Sequence, residues 1–178
     1  NEFNKIIEGS NAIAQNAYYH LAESYVNLDK KQEALNAFKN ASEMDFNINI
    51  QEDAWLNYVK LSYDIGNPYL STPEVLTKFL KLYPKSAFKI EVETLLIDSY
   101  INSNNFKEAL ELLENKTRAS HKEAYQKVAF FRALELYNNA KYSEAKELLG
   151  RSLSSSVNPV FKARATYWKA ETDYQLSN

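Results

Sequence analysis

The sequence predicts an all-α protein, an α-solenoid of antiparallel helix pairs. Three observations predict it. Only three Gly and four Pro in 178 residues leave little turn chemistry for β-hairpins. Helix start and stop signals recur along the whole chain at short intervals. Tyr25, Tyr63, Tyr100, Tyr137 and Tyr174 return at spacings of 38, 37, 37 and 37 residues. A period in this range marks a helical-repeat stack, in which each pair buries its apolar face only against the next.

The elements follow in order. Phe3, Ile6 and Ile7 sit at helical spacing, so residues 3–8 read as the tail of an earlier helix. A helix is expected over 11–27, and Asp29 with Gln32 forms a capping-box pattern that opens 31–44. Asn49 with Glu52 opens 50–65 in the same way. Thr72 before Pro73 opens 73–82, because a proline at the first helical position lacks only an N–H that would have no partner there. A helix over 87–102 follows, then 106–117 behind the pair Asn105 and Glu108, and 121–139 behind Ser120 and Glu123. The last two run over 142–154 and 159–176, the second behind Asn158 and Pro159. Links this short force antiparallel neighbours. Ala34, Ala109 and Ala145 open the shorter second helices in the strings QEALNAF, KEALELL and SEAKELL.

Composition narrows the chemistry. With 21 Lys+Arg against 23 Asp+Glu the chain lacks the basic excess of nucleic-acid modules. The absence of Cys excludes disulfides, thiolate metal sites and a Cys nucleophile. No run approaches the roughly 18 to 20 apolar residues that would cross a bilayer, so no direct membrane insertion is expected. His20 and His121 are far apart and in no metal-binding pattern, and His121 beside Ser120 reads as a surface residue of a helix start. Glu23, Asp64, Glu91 and Asp98 come nearest to an acid/base set, yet nothing marks a pocket around them, and they read as solvated or groove-lining charges. Ser152, Ser154, Ser155 and Ser156 have no elbow glycines and read as a turn or frayed helix end. Gly9, Gly66 and Gly150 are too far apart to cradle a phosphate. Lys78, Lys81, Lys85 and Lys89 lie between Glu74 and Glu91 as a solvated outer face. No catalytic residue, metal or cofactor is expected.

At its core positions the chain resembles the tetratricopeptide repeat (TPR) family. In the first unit, about 15–48, Tyr18, Leu21, Ala22 and Tyr25 on one helix and Ala34, Phe38 and Ala41 on the next match the family's large and small pattern in order and spacing. The second unit, 53–86, keeps Leu56, Val59, Tyr63, Phe79 and Pro84 but has Lys60 at the small position. The third, 90–120, keeps Leu96, Tyr100, Phe106, Ala109 and Leu113, with Ile97 at that place. In the fourth, 126–157, Ala133, Tyr142, Ala145 and Leu149 fit, Arg132 departs, and Tyr137 falls within one residue of the register of Tyr100. A half-repeat, 160–178, places Ala170 37 residues after Ala133. The period exceeds the family's usual length of about 34. The string FLKLYPKS looks like TPR proteins of the bacterial cell envelope, which suggests an envelope or periplasmic location, with the cytoplasm as the alternative.

The resemblance implies one continuous, right-handed superhelical solenoid over 1–178, a fragment of a longer repeat protein whose uncovered ends favour end-to-end association. It implies a non-catalytic scaffold that binds a protein or peptide along a concave groove. A spacer or oligomerisation arm, or a regulatory module of an enzyme domain outside this fragment, are the alternatives. Carried over by position, the groove comprises Tyr19, Glu23 and Asn27, then Asn57 and Asp64, then Glu91, Asp98 and Asn102. The fourth unit adds Lys127, Phe130, Tyr137 and Asn138, and the half-repeat Arg164, Tyr167, Glu171 and Tyr174. Acids and amides at one end and bases with aromatics at the other imply an extended ligand, basic or polar at one end and anchored by Phe130 and Tyr167 at the other. Tyr18, Tyr25, Phe38, Tyr63, Phe79 and Tyr100 are expected as buried packing. With Tyr19 and Glu23 where chaperone-binding members carry Lys and Asn, tight binding of acidic chaperone tails is not expected.

Overall fold

The structure, a computed structural model, describes residues 11–114, 121–155 and 157–177. Among these, nine helices follow one another and no strand occurs, so the protein is all-α. They are α1 (Ala12–Asn27), α2 (Lys31–Ser42), α3 (Ile48–Ile65), α4 (Thr72–Leu82), α5 (Lys89–Asn102), α6 (Phe106–Glu114), α7 (Lys122–Asn138), α8 (Tyr142–Ser154) and α9 (Pro159–Ser177). The chain divides into two compact units, residues 1–99 and 100–178, with the division inside α5. In the first unit α1 packs on α2 and α2 on α3; in the second α7 packs on α8 and α8 on α9. The expected helix over 3–8, the segment 115–117 and the pair Ser120 and Glu123 as a capping box lie wholly or partly outside the described residues.

Capping differs from the sequence patterns at three starts. Asn47, not Asn49, caps α3: its side chain accepts from the N–H groups of Asn49 (3.0 Å) and Ile50 (3.3 Å), so the helix begins earlier than expected. Asp29 caps nothing, because it takes a left-handed backbone (φ 54°) before α2. At α4 the cap is Ser71 rather than Thr72, and its N–H and hydroxyl both donate to the Glu74 carboxylate at 2.8 and 2.6 Å. These bonds favour the charged form and lower the Glu74 carboxyl below its ordinary value. At α9 the expectation holds, with Pro159 first in the helix and Asn158 accepting from Val160 N–H at 3.0 Å.

The turns between paired helices repeat one geometry. Lys30 N–H reaches the Tyr25 carbonyl (2.8 Å), Asn105 N–H that of Tyr100 (2.8 Å) and Lys141 N–H that of Leu136 (2.9 Å). The residue before each donor, Asp29, Asn104 and Ala140, has φ between 54° and 58°. This is the Schellman closure, which satisfies carbonyls the helix end would otherwise strand. The repeated bond settles the register of the fourth unit. Leu136, 4% exposed, corresponds to Tyr25 and Tyr100, and Tyr137 is one residue past that position. Gly66 turns the chain after α3 with φ 80° and ψ 172°, a region essentially reserved for glycine.

A pair of glutamines holds the next connection in each unit. Gln15 is fully buried in α1; its amide donates to the carbonyls of Ala41 (3.3 Å), Met44 (2.6 Å) and Asn47 (3.2 Å), and its oxygen accepts from Asn47 N–H at 2.7 Å. Gln126, equally buried in α7, donates to the Asn158 carbonyl (3.1 Å) and accepts from the N–H groups of Val157 (3.1 Å) and Asn158 (2.7 Å). Each clamps the segment that caps the helix 32 residues later. The connecting residues are themselves exposed or half-buried, but the groups that face each buried glutamine find their partner in its side chain, since no ladder supplies one.

The small residues at the helix crossings behave as expected: Ala22, Ala34, Ala109, Ala133 and Ala145 are all at 0% exposure, which permits close approach of the backbones. Ala170 is exposed on α9. Phe38 and Phe79 are buried, whereas Tyr18, Tyr25, Tyr63 and Tyr100 are only half-buried; Trp55 and Tyr58 supply the large buried rings of α3 instead. Lys60, at a small-residue position, reaches out to Glu91 at 2.8 Å. His121 is 4% exposed, so it is an interior residue and not the surface one expected. Ser152, also buried, donates to the Gln126 carbonyl at 2.9 Å inside α8 rather than lying in a turn.

Two glycines give a clean backbone comparison. A methyl added at Gly66 or at Gly150 would meet no atom within 4 Å. Gly66→Ala is therefore expected to lose about 1 to 3 kcal/mol purely from its positive φ. Gly150→Ala, inside α8, is expected to gain about 0.5 to 1 kcal/mol from helix propensity. Urea denaturation of both variants checks the opposite signs.

Candidate functional site

Helical spacing puts Tyr19, Glu23, Val26 and Asn27 on one face of α1. Phe38 of α2 and Asn57 of α3 complete the lining. Together these six residues line a pocket of about 380 Å³ within the first unit. Four of them, Tyr19, Glu23, Asn27 and Asn57, are groove residues expected from the sequence. Val26 and Phe38 are not among those expected, and they form its apolar wall. The Tyr19 ring meets the buried Phe38 ring edge-on at 5.8 Å.

The polar side is acidic and braced. The Tyr19 hydroxyl donates to Asp53, and Asn57 donates to the same carboxylate at 2.9 Å and to the Asp53 carbonyl at 3.0 Å. Burial, and then the hydrogen bond to Asp53, push the Tyr19 phenol well above its ordinary value. It stays a neutral donor at physiological pH. Glu23 is exposed at the rim and pairs with His20 Nδ1 at 2.8 Å. No Lys or Arg lines the pocket. Asp53 is the residue that sequence reasoning missed here; its only signal is its place four residues before Asn57, one turn back on the same face.

The other expected residues are placed separately. Asp64 is exposed and bridges to Lys31 at 2.7 Å; Glu91 is exposed and bridges to Lys60. Asp98 is half-buried and Asn102 exposed. In the second unit Lys127 is half-buried, Asn138 and Arg164 are exposed, and Tyr167 and Tyr174 are 64% and 63% exposed on α9. The Tyr137 hydroxyl donates to Glu171 at 3.3 Å, and its ring meets Trp168 edge-on at 5.1 Å. Burial, with Glu171 beside it, raises the Tyr137 phenol. Phe130 is a correction: it is 2% exposed, enclosed with Phe131 (5.3 Å) and Phe161 (5.6 Å). A ring so enclosed cannot anchor a partner on the surface.

Among the described residues no group of three His, Asp or Glu could hold a metal, and no helix is long and apolar enough to cross a membrane. No family model and no curated protein matches the chain significantly.

Proposed function

We propose that the helix pairs form a tetratricopeptide-type solenoid that serves as a non-catalytic scaffold and binds a protein or peptide along its first helices. One observation carries the binding reading: residues selected by repeat position alone, Tyr19, Glu23, Asn27 and Asn57, line one pocket. The identical turn bonds at Tyr25, Tyr100 and Leu136 support the repeat. So do the glutamine clamps, with Gln15 and Gln126 separated by 111 residues, three periods of 37.

The test is capture from a lysate with the chain as bait, comparing Asn57→Ala combined with Asn27→Ala against the outer-face change Lys85→Ala. The pocket pair is expected to lose the partner by about tenfold and Lys85→Ala to change nothing. Lys78 is unsuitable as the neutral control because its ammonium lies 4.9 Å from the Trp55 ring centre. Loss of the partner only with outer-face changes would falsify the groove assignment. Retention of no partner would favour a spacer. Calorimetry with an acidic C-terminal chaperone peptide is expected to give no micromolar binding, because Glu23 would oppose its carboxylates.

A further inference from the structure

We propose that the pocket between α1, α2 and α3 seats a cationic side chain, lysine or arginine, of a polypeptide partner, an inference that rests on the scaffold reading above. The argument has three parts: shape, charge and available acceptors.

The pocket's volume of about 380 Å³ is at the small end of ligand sites and suits one long side chain rather than a folded surface. Its wall is Val26, Phe38 and the Tyr19 ring, which matches the methylene stem of a lysine or arginine. It carries the exposed Glu23 carboxylate, and its lining residues Tyr19 and Asn57 both hydrogen-bond the Asp53 carboxylate. Glu23 faces solvent, where it pairs with the exposed His20 ring and also interacts with the Tyr19 hydroxyl. A guanidinium or ammonium arriving there makes a charge-assisted hydrogen bond. Asn57 commits its amide nitrogen to Asp53, which leaves its oxygen as the acceptor it can offer a ligand. An anionic side chain would meet the Glu23 carboxylate with no lining cation to offset it. A neutral aliphatic one would cover Val26 and Phe38 but bring nothing to Glu23.

The probes are capped tripeptides, Gly-Arg-Gly, Gly-Lys-Gly, Gly-norleucine-Gly and Gly-Glu-Gly, titrated into the ¹⁵N-labelled chain. The arginine and lysine peptides are expected to shift the amides of α1 and of Asn57 saturably. The norleucine peptide is expected to bind at least about tenfold more weakly, and the glutamate peptide not at all. Glu23→Gln should weaken the arginine peptide by about tenfold with no change in melting temperature, since Glu23 is exposed. Equal affinity for the arginine and norleucine peptides, no pocket shifts with either cationic peptide, or an unaffected Glu23→Gln variant would overturn the proposal. Partner capture that persists alongside such a result overturns the cation assignment alone. Cationic peptides that bind at the pocket when no partner is captured overturn the scaffold reading alone.

Discussion

Gln15→Leu is expected to destabilise the first unit by about 2 to 4 kcal/mol, a large loss for a change that keeps nearly the same volume. Leucine fills the space but leaves the Asn47 N–H without its acceptor, and the carbonyls of Ala41, Met44 and Asn47 without the amide that now serves all three. Gln15 is at 0% exposure, so a leucine there sets these partly buried groups against an apolar side chain. Gln15→Glu should be at least as damaging, because it sets a carboxylate before three carbonyl oxygens. The corresponding Gln126→Leu should cost the second unit a similar amount through Val157 and Asn158. Hydrogen exchange gives the local readout: the Asn47 amide should exchange faster in Gln15→Leu and remain unchanged in Gln126→Leu. A loss below about 1 kcal/mol, with Asn47 still protected, would show that the clamp is dispensable.

Phe130→Ala is expected to cost about 3 to 5 kcal/mol, the range for deleting an enclosed aromatic ring. The ring sits against Phe131 and Phe161, and the backbone of α7 cannot follow it inward without breaking the fully buried contacts of Ala129 and Ala133. Repeat position alone makes Phe130 an exposed partner anchor, whose removal would weaken binding and leave stability intact. The structure predicts the reverse. Tyr167→Ala, at a position 64% exposed, should change stability by no more than about 0.5 kcal/mol. Thermal denaturation of the two variants side by side separates these outcomes.

The two aromatic positions, Tyr19 and Phe130, show where local reasoning stops. Both occupy the same place in the repeat, since they lie 111 residues apart as do Gln15 and Gln126. Tyr19 keeps a half-exposed ring because its hydroxyl needs a polar partner and finds Asp53. Phe130 has no such need and is covered by Phe161, a residue on another helix. Periodicity identifies which side chains share a helix face. It cannot say which neighbour closes over them. His121 follows the same logic, with a polar, cap-like setting in the sequence and an interior position in the fold.

What the sequence by itself determined was the set of helices and nearly all their ends. Alternation of apolar residues, the Asn158 and Pro159 start, and turn residues such as Asn104 and Gly66 act within a few residues of chain, so their physics is local. Tyr19, Glu23, Asn27 and Asn57 came as companions only through the family resemblance, carried over by position. The tertiary structure decided which of the sixteen candidate residues share a pocket, that Asp53 braces it, that Val26 and Phe38 wall it, and that Phe130 belongs to the core. It also decided that Asn47 rather than Asn49 caps α3, because the Asn47 backbone is held by Gln15, 32 residues away in the chain. A cap is a local preference among several nearby Asn and Ser residues, worth about 1 kcal/mol. A buried hydrogen bond from a distant helix is of the same size or larger, and so it selects among them.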